Sequence, residues 1–147
     1  MIEEIPASWK ELTAEQKRDL RYMGFSYIRQ GKYEIARSIF SLLVEVDQST
    51  YDLQTLGALY LQLNQLEQSH HFLERALQKN AKSAITQVNY LKTLYFLGDL
   101  ENAKKRALSL RKHKRKQIAN QAQAILTLLE NSASSRREEN RRGVLKS

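Results

Sequence analysis

The sequence predicts an all-α fold, and three observations carry the prediction. Among 147 residues there are one proline and five glycines, few of the turn formers that punctuate a chain of short strands. Apolar residues recur at intervals of three and four, as in Leu20, Met23 and Tyr27 or in Ile35, Ile39, Leu42, Leu43 and Val46, which is the period of one helix face. The chain also matches itself at an offset of 33 or 34 residues, laying Gly31-Lys32-Tyr33-Glu34-Ile35-Ala36 over Asn64-Gln65-Leu66-Glu67-Gln68-Ser69 and over Gly98-Asp99-Leu100-Glu101-Asn102-Ala103. Each copy sits between two amphipathic segments, so the unit is a helix, a tight turn and an antiparallel helix, three times over.

Residues 1–16 read as an N-terminal arm. Trp9 serves there either self-association or as a tether laid on the first repeat, and Thr13 is placed to cap a helix opening at Ala14-Glu15-Gln16. The three repeats cover about residues 17–49, 50–83 and 84–116. Gly31, Asn64 and Gly98 stand where the first helix of each hairpin ends in a left-handed residue, a conformation open to Gly and tolerated by Asn. Gly24, Gly57, Ala36, Ser69 and Ala103 stand where two helices of a hairpin come close, and larger side chains would hold them apart. Leu53, Leu56, Tyr60 and Leu63, then Leu73 and Leu77, then Leu91, Leu94 and Tyr95 continue the apolar faces. Residues 117–131 read as a capping helix with Ile118, Ala122, Ile125, Leu126 and Leu129 inward. Residues 132–147 lack helical apolar spacing and are expected to be a disordered or loosely attached basic tail.

The net charge of +8 is uneven. Residues 1–103 hold 11 Lys and Arg against 13 Asp and Glu, whereas residues 104–147 hold 13 against 3. The excess belongs to the run Lys112-His113-Lys114-Arg115-Lys116, expected at a helix end or in a loop, and to the tail from Arg136 to Arg142. Nucleic acid is therefore the rival partner, but the last aromatic residue is Phe96, so no base-stacking side chain is interleaved with the basic runs. With no cysteine, disulfides, thiolate metal sites and thiol chemistry are excluded. No apolar run reaches the roughly 18 residues of a membrane span, and Glu3 and Glu4 stand where a signal peptide would be basic and apolar. A protein of the reducing cytoplasm, not inserted in a membrane, is the expectation.

Enzymatic chemistry finds no foothold. His70 and His71 are adjacent, about 100° apart around a helix, and so cannot share a metal face. His113 lies in a lysine run, Glu138 and Glu139 lie in the tail, and there is neither a phosphate-binding glycine loop nor a Gly-x-Ser-x-Gly elbow. A non-enzyme without metal or cofactor follows.

The residues resemble the tetratricopeptide repeat. Repeat 1 supplies Leu20, Met23, Gly24, Tyr27, Gly31, Tyr33, Ala36 and Phe40, repeat 2 supplies Leu53, Leu56, Gly57, Tyr60, Asn64, Leu66, Ser69, Leu73 and Ala76, and repeat 3 supplies Leu94, Gly98, Leu100, Ala103 and Ala107. The proline that usually closes each repeat is missing throughout. The resemblance implies a curved stack whose first helices line a concave groove. Its concave places fall on Arg18, Arg21, Phe25 and Ile28, then Tyr51, Gln54, Ala58 and Leu61, then Ile85, Val88, Lys92 and Tyr95. Such a groove suits an extended or helical peptide with apolar anchors, unless the chain's own N-terminal segment covers part of it.

Size, repeat number and order also make the chain similar to the class II chaperones of bacterial type III secretion systems, through Tyr27-x-x-x-Gly31-Lys32-Tyr33-x-x-Ala36-x-x-x-Phe40, Val46-Asp47, Leu56-Gly57-Ala58 and Leu97 to Ala103. The resemblance implies a bacterial cytoplasmic chaperone that shields an apolar segment of a secreted subunit. The client would be a translocator or, as for the smaller needle-subunit chaperones, a needle protein. Self-association or a heterocomplex with other chaperones is implied too. A general tetratricopeptide adaptor is the alternative within the same class, and the basic C-terminal third departs from the pattern.

Overall fold

The computed structural model describes residues 11–80 and 82–145. Trp9 and the rest of the expected arm before residue 11 lie outside the described residues. Among the described residues there are seven α-helices and no strand: α1 (Ala14–Arg29), α2 (Tyr33–Val46), α3 (Thr50–Gln62), α4 (Leu66–Lys79), α5 (Ala84–Leu97), α6 (Leu100–Leu110) and α7 (Lys116–Leu145). The all-α, tetratricopeptide-like architecture is as the sequence reads. The chain forms two compact units, residues 1–90 and 91–147, and the boundary falls inside α5.

In unit 1, Thr13 caps α1 as expected. Its hydroxyl accepts from the Gln16 amide at 3.1 Å, and the Gln16 side chain accepts from the Thr13 amide at 2.9 Å, a reciprocal capping box. The hairpin turns follow from the left-handed residues. Gly31 has φ 74° and Asn64 has φ 59°, which lets Lys32 donate to the Tyr27 carbonyl at 2.9 Å and Gln65 to the Tyr60 carbonyl at 2.8 Å. Those bonds, with Gly31 to Ile28 and Asn64 to Leu61 at 3.0 Å each, form the Schellman arrangement and satisfy the last carbonyls of α1 and α3.

Close approach within each hairpin explains the two helical glycines. A Cβ built on Gly24 would lie 2.6 Å from the Phe40 ring, and one on Gly57 would lie 2.6 Å from Leu73 Cγ and Cδ2. Both partners are fully buried. At the same crossing the buried Ser69 hydroxyl donates to the Gly57 carbonyl at 2.8 Å. The core is Ala36, Phe40, Leu43 and Val44 of α2 with Leu53, Leu56, Leu59 of α3 and Ala76 of α4, and Leu20, Tyr27 and Ile39 pack against it.

Two residues of the expected apolar faces depart from it. Met23 is 48% exposed and Ile35 45%, although Leu56, the repeat-2 counterpart of Met23, is buried. Leu56 has α2 before it to pack on, and no described helix precedes α1.

In unit 2 the third turn repeats the device. Gly98 has φ 84°, Asp99 donates to the Leu94 carbonyl at 3.0 Å and Gly98 to the Tyr95 carbonyl at 3.1 Å. Ala103, Ala107 and Leu110 of α6 are buried, as are Ile118, Ala122, Ile125 and Leu126 of α7. The basic run 111–116 lies between the two helices, up to the first residue of α7. Of the two expectations for the tail, disordered or loosely attached, the first is corrected: α7 continues from the expected capping helix through Leu145. Nothing in residues 132–145 stops a helix once started, since there is no proline and extension costs little after nucleation. Glu138 and Arg142 also stand in the favourable i, i+4 order. The segment adds nothing to the core, and residues 130–144 are all exposed.

Candidate peptide-binding surface

The first helices of the two hairpins in unit 1, α1 and α3, meet through two contacts. Arg21 makes a two-pronged bond to Asp52, Nε to Oδ1 at 2.8 Å and Nη2 to Oδ2 at 2.7 Å. Asp52 is fully buried, and Ser49, the α3 cap, donates its hydroxyl to Oδ2 at 2.8 Å while accepting from the Asp52 amide at 3.2 Å. The carboxylate is therefore fully engaged, and it pushes the Arg21 guanidinium above its ordinary value, through the hydrogen bond first and against the opposing cost of burial. Beside this pair, Phe25 sets its ring 5.8 Å from Tyr51 and 5.4 Å, edge to face, from Phe40. Partial burial and then the Asp52 charge push the Tyr51 phenol above its usual value, favouring the neutral hydroxyl.

The residues expected in a groove thus divide. Tyr51 is half exposed, and Gln54, Ala58 and Leu61 follow it along α3 with partial exposure. Phe25 and Ile28 are partly buried and rest on the core, so each has a structural duty as well as an open edge. Arg18 is exposed, whereas Arg21 is committed to Asp52. On α5, Ile85 is 62% exposed, but Val88 is only 3% exposed. Val88 is therefore corrected from a groove residue to a core residue: a buried apolar side chain at this position of α5 has no open surface to offer a client. Lys92 and Tyr95 belong to unit 2, both partly exposed, with the Tyr95 ring 5.5 Å from that of Phe96.

The sequence reading missed Asp52. Its signal was partial: Ser49-x-x-Asp52 is a helix-start spacing, but nothing in the sequence pairs Asp52 with an arginine 31 residues earlier. Tyr22, 69% exposed and with the Arg29 guanidinium 5.9 Å from its ring centroid, was also unassigned.

No group of three or more metal-ligating side chains occurs among the described residues. His70 is occupied otherwise, with Nε2 3.0 Å from the Tyr90 hydroxyl. Among the described residues no helix is long and apolar enough to cross a membrane.

The sequence matches no protein-family model and no curated protein. Its fold, in contrast, is that of solved chaperones. PcrH of Pseudomonas aeruginosa, in complex with the chaperone binding region of PopD, is similar with a TM-score of 0.74 at 22% identity, over 84% of this chain and 97% of that one. The type III secretion translocator chaperone SycD of Yersinia enterocolitica is similar with a TM-score of 0.75 at 19% identity, over 87% of this chain and 92% of that one. SycD in complex with a peptide of the translocator YopD gives 0.74 at 19% identity, over 84% and 98%. At such identities the likeness establishes a shared fold.

Proposed function

We propose that the protein is a chaperone of type III secretion, which holds an apolar segment of a secreted translocator or needle subunit in the bacterial cytoplasm before export. The observation that carries this reading is the fold shared, over most of the chain, with two chaperones, PcrH and SycD, each also solved with a translocator segment. The surface of α1 and α3 has the chemistry the task requires. Tyr51, Leu61 and the open edges of Phe25 and Ile28 offer apolar contact, while Gln54 and the Tyr51 hydroxyl can meet peptide amides. By repeat register, Lys92 and Tyr95 are client contacts as well.

The mechanism is occlusion. Each apolar Å² of client removed from water contributes on the order of 25 cal/mol, so a segment that would otherwise drive aggregation is hidden without any covalent step. Release needs only a partner that binds the same segment more tightly. The test is co-expression with hydrophobic subunits encoded beside this protein. A soluble complex at equal stoichiometry supports the reading, and subunits that stay insoluble with none retained oppose it.

A further inference from the structure

The groove between α6 and α7 lies wholly within unit 2 and uses none of the residues assigned above to the client. It encloses about 450 Å³. Leu100 and Leu108 of α6 and Leu126 and Leu129 of α7 make an apolar floor, and Leu108 is 36% exposed. Ser132, Ala133 and Ser134 continue the α7 wall with small side chains, which allow another helix to come near.

Basic groups frame this floor. Lys104 stands on the α6 wall, and Arg136 and Arg137 stand where α7 leaves the hairpin. Two carboxylates also line the groove, Glu101 and Glu130, and Glu101 is met by Lys105 at 3.6 Å. The wider field is strongly positive: residues 91–147 hold 14 Lys and Arg against 5 Asp and Glu, whereas residues 1–90 hold 10 against 11. At about 1.5 Å per residue α7 is some 45 Å long and α6 only about 16 Å. The part of α7 after Arg137 thus continues past the groove as a rail, and the helix is exposed from residue 130 to residue 144.

We propose that this groove and rail dock an acidic amphipathic helix of a protein partner, with leucine-like side chains on the apolar floor and carboxylates along Lys104, Arg136 and Arg137. An apolar floor with a cationic rim is complementary to such a helix. It suits a nucleic acid poorly, because no aromatic side chain follows Phe96 to stack on bases. It suits a membrane surface poorly too, because residues 132–144 carry no apolar stripe. The proposal stands apart from the client reading.

The experiment uses the full chain and a fluorescent synthetic helix of about three heptads, leucine on one face and glutamate on the other. A lysine-for-glutamate version and a single-stranded oligonucleotide serve as competing probes. The acidic helix binds, and R136E with R137E weakens it at least about tenfold, as does Leu108→Ser. Melting temperature is unchanged in the double arginine variant, because both side chains are exposed. Four results would each overturn the proposal: no binding of the acidic helix, equal binding of the lysine version, indifference to both sets of substitutions, or binding of the oligonucleotide in place of the helix.

Discussion

Arg21 and Asp52 form a two-pronged ion pair at 2.7 and 2.8 Å that ties the first helix of repeat 1 to the first helix of repeat 2. Asp52 is wholly buried, while the Arg21 side chain keeps a quarter of its surface in water. That asymmetry sets what the pair does. A carboxylate out of water needs its donors in place, so the contact fixes the stagger of α1 on α3 and holds Tyr51 beside Phe25.

Removing the cation should therefore cost more than a surface substitution. Arg21→Met leaves the Asp52 carboxylate buried with only the Ser49 hydroxyl donating to it, and the loss is expected near the low end of about 3–5 kcal/mol, since Arg21 is partly solvated. Denaturant unfolding measures it. A loss below about 1 kcal/mol would show that the pair contributes no more than an exposed one.

The glycines give a graded series. Gly57→Ala drives a methyl into Leu73 and is expected to lose about 1–3 kcal/mol, outweighing the gain of up to about 1 kcal/mol in helix propensity. Gly57→Leu loses more. Gly31→Ala meets open space but must hold φ 74°, at about 1–2 kcal/mol. Gly143→Ala meets nothing and should be neutral or slightly stabilising. Equal melting temperatures for all four would contradict the packing described.

Val88 separates core from binding surface. Val88→Ala is expected to cost about 2 kcal/mol of stability and to leave client affinity of the folded fraction unchanged. A stable variant with lost client binding would return Val88 to the groove.

Truncation after Asn131 removes exposed helix only. Unfolding free energy should change by less than about 0.5 kcal/mol, while far-ultraviolet circular dichroism loses the signal of the projecting part of α7. A marked loss of stability would mean that residues 132–145 support the fold.

What the sequence revealed depended on how local the physics was. The left-handed turns at Gly31, Asn64 and Gly98, the Thr13 cap and the tight crossings at Gly24 and Gly57 each rest on neighbours within one hairpin, and all were legible. The course of α7 beyond residue 131 was not, because apolar spacing reports which helix is buried, and a solvated helix has none to show. The surface was legible only in part. Repeat register placed Tyr51 at the surface, yet the same register could not tell that Arg21 is held by Asp52 from another helix or that Val88 is buried.

Whether a client sits on α1 and α3 is measured by client capture with the double variant Tyr51→Ala, Gln54→Ala, the hydrophobic subunit being co-expressed and complex formation followed by pull-down and titration. Both side chains have open surface and neither belongs to the core cluster. The unaltered protein is expected to hold the subunit in a soluble complex, and the variant, with unchanged helical content and melting temperature, to bind it at least about tenfold more weakly. Capture at full affinity by a well-folded variant would contradict the placement of the client on α1 and α3.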